Sequence, residues 1–131
     1  MSDTWTGLNQ FWNSFGWAAY DEQTVFDKDD ENNLPAYPHI TYESGDGDFG
    51  HETFLVAHLW DRSTDWKRLK QKATEIKAAV KDGGMKVNVD GGQLWFKLSD
   101  AMTFAQPISS GAEDEGIKRM LINMTVEYLT V

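Results

Sequence analysis

The stretch from Ile117 to Val131 constrains the fold more than any other part of this chain. Met120, Ile122, Met124, Val126 and Tyr128 fall on one parity, and Arg119, Asn123, Thr125 and Glu127 on the other, with Leu121 and Leu129 as exceptions. Alternation at period two is the signature of a half-buried strand. The run covers residues 117–131, whereas a usual strand has about five or six residues. A strand of that length can outrun its own sheet. The expectation is that its surplus pairs with another chain or a partner surface.

The rest of the chain supplies elements to pack against it. Trp66, Leu69, Ala73, Ile76 and Val80 recur at helical spacing. They predict a helix over 65–81, started by the Ser63-Thr64-Asp65 cluster and stopped by Asp82-Gly83-Gly84. Its apolar stripe is expected on Phe54, Val56 or Trp60 and on Met120 to Val126. Residues 52–62 read as a strand with Phe54, Val56, His58 and Trp60 on one face and Leu55, Ala57 and Leu59 on the other. Two partly apolar faces suggest a central strand, or one face covered by helices and the other by a neighbour. Leu8, Phe11, Trp12 and Phe15 form the apolar stripe of a helix over 4–16 with Thr4 as its N-cap, weakened by Gly7 and Gly16. Met85 to Val89 and Gln93 to Ser99 flank a three-residue turn, Asp90-Gly91-Gly92, a hairpin signal. Short strands are expected at 39–44 and 102–106, and polar loops at 27–38, 44–51 and 109–116. The order predicts one α+β domain over 1–131, a mostly antiparallel β-sheet with two helices packed on one face.

Catalytic and metal chemistry find little footing. There is no cysteine, so disulfides, thiolate metal sites and thiol nucleophiles are excluded. His39, His51 and His58 lack metal-ligand spacing and read as satisfied or surface histidines. Asp27, Asp29, Asp30 and Glu31 invite a calcium loop, but counting from Asp27 its sixth and twelfth positions hold Asn32 and Pro38 rather than Gly and Glu. No nucleophile elbow, zinc-protease, P-loop or dinucleotide-binding motif is present. The expectation is a non-enzyme with no catalytic, cofactor-binding or metal residues and no cofactor. The N-terminal residues carry no signal-peptide pattern, and no run approaches the roughly 18 apolar residues of a membrane span.

Charge is distributed unevenly. The net charge is −9, yet residues 1–52 carry −10 and residues 62–86 carry +5. An acidic chain is a poor match for phosphates. The basic segment can instead attract the acidic part of a second copy, head to side, as in a ring. Candidate interface residues are Asp46, Asp48, Phe49, Lys67, Lys70, Lys77, Lys81, Glu113, Asp114 and Glu115. The bland alternative for the lysines is a solvated helix face.

A family resemblance adds to this. Trp12-Asn-Ser-Phe-Gly-Trp-Ala-Ala-Tyr-Asp-Glu-Gln, Leu59-Trp60-Asp-Arg-Ser-Thr, Asp90-Gly91-Gly92-Gln-Leu-Trp95, Phe104-Ala-Gln-Pro107 and the stretch from Met120 to Leu129 resemble small proteins of tail-assembly clusters in long-tailed phages and prophages of Gram-positive bacteria. Such proteins are labelled minor capsid or tail-completion proteins, and the element order is similar to that of the tail terminator family. The motifs are packing and turn residues rather than chemistry.

The resemblance implies an antiparallel sheet with helices on one face and a hexameric ring that can be monomeric when free. The ring would cap the tail tube, dock to the head connector, and let DNA pass without specific binding, with acidic loops at 27–31 or 46–52 toward its lumen. It implies no membrane partner. It places the protein in the tail or neck of the virion, assembled in the bacterial cytoplasm. The alternatives are a tail tube or head-completion (minor capsid) component and a small non-viral ligand-binding domain. An acidic hydrolase has the least support.

Overall fold

A computed structural model describes residues 3–23, 36–45, 49–108 and 116–130. Two helices and seven strands follow in the order α1 (Thr4–Asn13), β1 (Ala19–Asp21), β2 (His39–Tyr42), β3 (Glu52–Arg62), α2 (Lys67–Val80), β4 (Met85–Val89), β5 (Gly92–Lys97), β6 (Ala105–Ile108) and β7 (Ile117–Thr130). The strands form one sheet in the order β1-β2-β3-β7-β5-β4, and β6 also pairs with β7. Every pairing is antiparallel except β1 with β2, which is parallel. The α+β class with a mostly antiparallel sheet is therefore as expected.

The long strand sits at the centre of the sheet, and this overturns the expectation of a free surplus. Along one edge β3 pairs with it from Ile117 to Glu127, and the Gly50 and His51 backbone continues the ladder to Tyr128. Along the other edge β6 covers Arg119 to Ile122 and β5 covers Thr125 to Thr130. The gap between them is closed by Asn123, whose N–H donates to the Phe104 carbonyl. The strand is long because two short strands lie end to end beside it.

Both helices lie on one face of the sheet. Met120, Ile122, Met124, Val126 and Tyr128 all point there and are buried. The register sets Leu55, Ala57 and Leu59 of β3 beside Met124, Ile122 and Met120, so those three residues form the core side of β3. The expected packing of α2 on Phe54, Val56 or Trp60 is thus wrong by one residue of parity: those side chains point to the other face. Leu69, Ala73, Ile76 and Val80 of α2 and Leu8, Phe11 and Trp12 of α1 complete the core.

The helix ends also differ in detail. Asp3, not Thr4, caps α1, its Oδ1 accepting from Thr6 N–H at 2.8 Å, and the helix stops at Asn13. Ser14 donates its hydroxyl proton back to the Phe11 carbonyl at 2.6 Å and closes the last turn. α2 starts at Lys67, whose N–H donates to Asp65 Oδ1 at 3.0 Å. The β4–β5 hairpin is as expected, with a shorter turn: Val89 pairs with Gly92, leaving Asp90 and Gly91 as the turn residues, with Gly91 at φ 82°.

Candidate functional site

No described helix covers the face of the sheet away from α1 and α2. Parity places Trp60, His58, Val56, Phe54 and Arg62 of β3 there, with Arg119 and Leu121 of β7, His39 and Thr41 of β2, Tyr20 of β1, and Trp95 and Lys97 of β5. Phe54 is 55% exposed. A sheet face rich in rings and without a helical layer among the described residues is a candidate contact surface.

One end of this face carries an aromatic and arginine cluster. His39 and Trp60 are register partners with rings stacked at 6.1 Å and 13° between planes. Tyr37 lies 5.0 Å and Tyr20 6.0 Å from the His39 ring. The Trp60 indole N–H donates to Thr41 Oγ1 at 2.8 Å, which fixes the ring. The Arg119 guanidinium lies 5.3 Å from the Trp60 ring and that of Arg62 lies 5.3 Å from Tyr37, both within cation–π range. Arg119 Nε is buried with no hydrogen-bond partner, and neither arginine has a carboxylate partner among the described residues.

The two histidines of this cluster are held neutral. Burial pushes His39 below the ordinary histidine range, opposed by its bond to the Ala36 carbonyl. Burial does the same to His58, helped by the nearby Arg119 charge and opposed by Glu43. His58 also lies 3.5 Å from Glu22. His51 is exposed and stands apart from both.

The other end of the face is saturated. Lys97 bridges Glu127 at 2.9 Å and Glu52 at 3.0 Å, and its ammonium sits 4.3 Å from the Trp95 ring. Lys86 reaches the same ring at 5.1 Å. On the helical side, a groove of about 440 Å³ is lined by Trp17, Arg68, Gln71, Lys72 and Glu75. Its cations are engaged: Arg68 by Asp61, and Lys72 by the Phe15 carbonyl at 2.7 Å and by Glu75.

Of the candidate interface residues, Lys67, Lys70, Lys77 and Lys81 are exposed along one flank of α2 and its C-cap. Phe49 is 67% exposed and precedes β3, well removed in sequence from that helix. Asp46, Asp48, Glu113, Asp114 and Glu115 lie outside the described residues, as do the 27–31 segment and its calcium reading. The arginine and aromatic cluster escaped sequence reading. Its members come from four separated segments, and only strand register brings them together. No group of three or more metal-ligating side chains occurs among the described residues, and none of the described helices is long and apolar enough to cross a membrane. No family model and no curated protein matches the chain.

Proposed function

We propose that this chain is a structural protein of phage morphogenesis, a tail terminator or head–tail joining ring that caps the tail tube and docks to the head connector. The observation that carries the reading is the one-sided sheet. Helices cover one face, while the other presents half-buried rings, the exposed Phe54 and two arginines without carboxylate partners among the described residues. Such a face suits contact with another protein surface. The exposed lysine flank of α2 and the acidic N-terminal portion give identical subunits complementary charges for head-to-side contact. The motif resemblance gives the assembly its class, in which the ring belongs to the virion neck and DNA passes through without being held.

Native mass spectrometry of the purified chain, alone and with tail tubes, tests the proposal. A closed ring, or one that forms only on tubes, supports it. A chain that stays monomeric in the presence of tubes overturns it.

A further inference from the structure

The Arg62 and Arg119 end of the open sheet face has a geometry that selects its occupant. Arg119 is the register partner of Trp60, and Arg62 is the register partner of Ile117. The two arginines therefore share a face as diagonal neighbours on adjacent strands, a relation that sets their backbone positions about 7–8 Å apart. Each guanidinium lies over a ring. Arg119 Nε is buried, so a planar acceptor would meet that guanidinium through its Nη groups, whereas Arg62 is exposed and can offer its fork to a bidentate carboxylate. Residues i and i+2 of an extended peptide stand about 6.6 Å apart on one side. Two carboxylates at alternate positions of a strand thus match the spacing of the two arginine positions.

A second occupant class fits the same charges less well. Single-stranded nucleic acid binds by phosphate contacts and by stacking bases on free ring faces. Here Trp60 is stacked against His39 and covered by Arg119, and Tyr37 is covered by Arg62. A net charge of −9 also repels a polyanion at long range. A short acidic peptide brings two charges rather than many and needs no free ring.

We propose that the Tyr37–His39–Trp60 end of the open sheet face, with Arg62 and Arg119, is a docking site for an extended acidic segment of a partner protein bearing carboxylates at alternate positions. This deepens the assembly reading and rests on it in taking the open face as an interface. Binding itself requires no ring.

The test titrates the full chain with a short peptide carrying aspartates at alternate positions in a threonine–valine frame, and with its asparagine counterpart. Calorimetry gives affinity, and the Trp60 indole N–H resonance reports the location. The aspartate peptide is expected to bind at least about tenfold tighter than the asparagine peptide, and Arg62→Gln or Arg119→Lys to remove about that factor. Arg62 is exposed, so Arg62→Gln tests the site without breaking the fold. Equal binding of the two peptides, an unmoved Trp60 resonance, unchanged affinity in Arg62→Gln, or an oligothymidylate that outcompetes the peptide would each overturn the site. A ring without peptide affinity also overturns it while leaving the assembly reading intact. Peptide binding by a persistent monomer sustains the site and removes the ring.

Discussion

The carboxylate of Asp61, wholly shut off from solvent at the end of β3, grips the guanidinium of Arg68 in the first turn of α2 through Nε at 3.0 Å and Nη2 at 2.5 Å. Asp61 Oδ1 also accepts from Arg62 N–H at 2.8 Å. Asp61 shares the parity of Leu55, Ala57 and Leu59, so its charge points toward the helical layer. A buried carboxylate requires such partners, because desolvation removes its water without replacement. The pair fixes where the chain leaves the sheet and enters α2.

Asp61→Asn keeps the volume and weakens the charge-assisted bonds. It is expected to destabilise by about 1–3 kcal/mol in urea unfolding. Arg68→Met should act in the same direction by leaving the carboxylate buried without its cation. An Asp61→Asn midpoint equal to that of the parent would show that the pair does not anchor the helix.

Two adjacent glycines separate backbone strain from packing. Gly83 and Gly84 both have positive φ, 101° and 82°. A Cβ on Gly83 meets nothing within 4 Å, whereas one on Gly84 would lie 2.5 Å from the Phe96 carbonyl oxygen and 2.5 Å from the Trp95 indole nitrogen. Gly83→Ala is expected to cost about 1–2 kcal/mol for the left-handed conformation alone. Gly84→Ala should add about 1–3 kcal/mol for forcing the β4–β5 hairpin away from the helix end. Equal unfolding midpoints for the two variants would contradict this.

The core turns on one stacked pair. Phe11 of α1 and Phe96 of β5 are both fully buried, with centroids 3.7 Å apart and planes 5° from parallel. Phe96→Ala should cost about 3–5 kcal/mol, and Ile76→Ala about 2–5 kcal/mol. Thermal unfolding of both variants checks whether the two helices share one core. Two separate unfolding transitions in place of one cooperative transition would mean that they do not.

The sequence carried the elements better than their arrangement. The alternation of β7 and the stripe of α2 were legible because each apolar face is clean: Met120 to Tyr128 on one parity, and Leu69, Ala73, Ile76 and Val80 at helical spacing. The facing of β3 was not legible. Phe54, Val56 and Trp60 are as apolar as Leu55, Ala57 and Leu59, so hydropathy gives no sign of which set is buried. The true set is decided by pairing with β7. β1 leaves no local signal, because its three residues, Ala19 to Asp21, pair with β2, which begins at His39. The length of β7 looks like surplus in sequence alone, because nothing local shows that β6 and β5 share one of its edges. The arginine and aromatic cluster depends on the same long-range register and leaves no local motif.

Acid should loosen the fold before its carboxylates titrate. His39 and His58 are held below the ordinary histidine range mainly by burial. The unfolded chain takes up protons near pH 6.5 while the folded rings resist them. Stability is therefore full above about pH 6.5 and falls as pH drops through that value, until the folded rings also protonate. The neutral His39 ring places Nδ1 3.0 Å from the Ala36 carbonyl, a bond that steadies the approach to β2. Urea midpoints measured between about pH 7 and 5 should decline, and His58→Gln should flatten part of the slope. A slope in His58→Gln and in a His39 variant that matches the parent's would place the acid sensitivity elsewhere.

Self-association can be read by its response to salt. The lysine flank of α2 is exposed at Lys67, Lys70, Lys77 and Lys81, and the acidic excess lies in residues 1–52. Charge-driven contact between copies weakens as the screening length falls to about 10 Å near 0.1 M salt. Apolar contact through Phe49 and Phe54, which are 67% and 55% exposed, holds or strengthens under salting-out ions. If the charged surfaces drive assembly, light scattering should show the oligomer dissociating as salt rises, and Lys70→Glu with Lys77→Glu should weaken it at low salt. If salt tightens the oligomer and the lysine variants assemble normally, the open sheet face carries the contact and Phe54→Ser is the variant that breaks it. A particle that stays monomeric across the series and on tail tubes would remove the ring from the account of this protein.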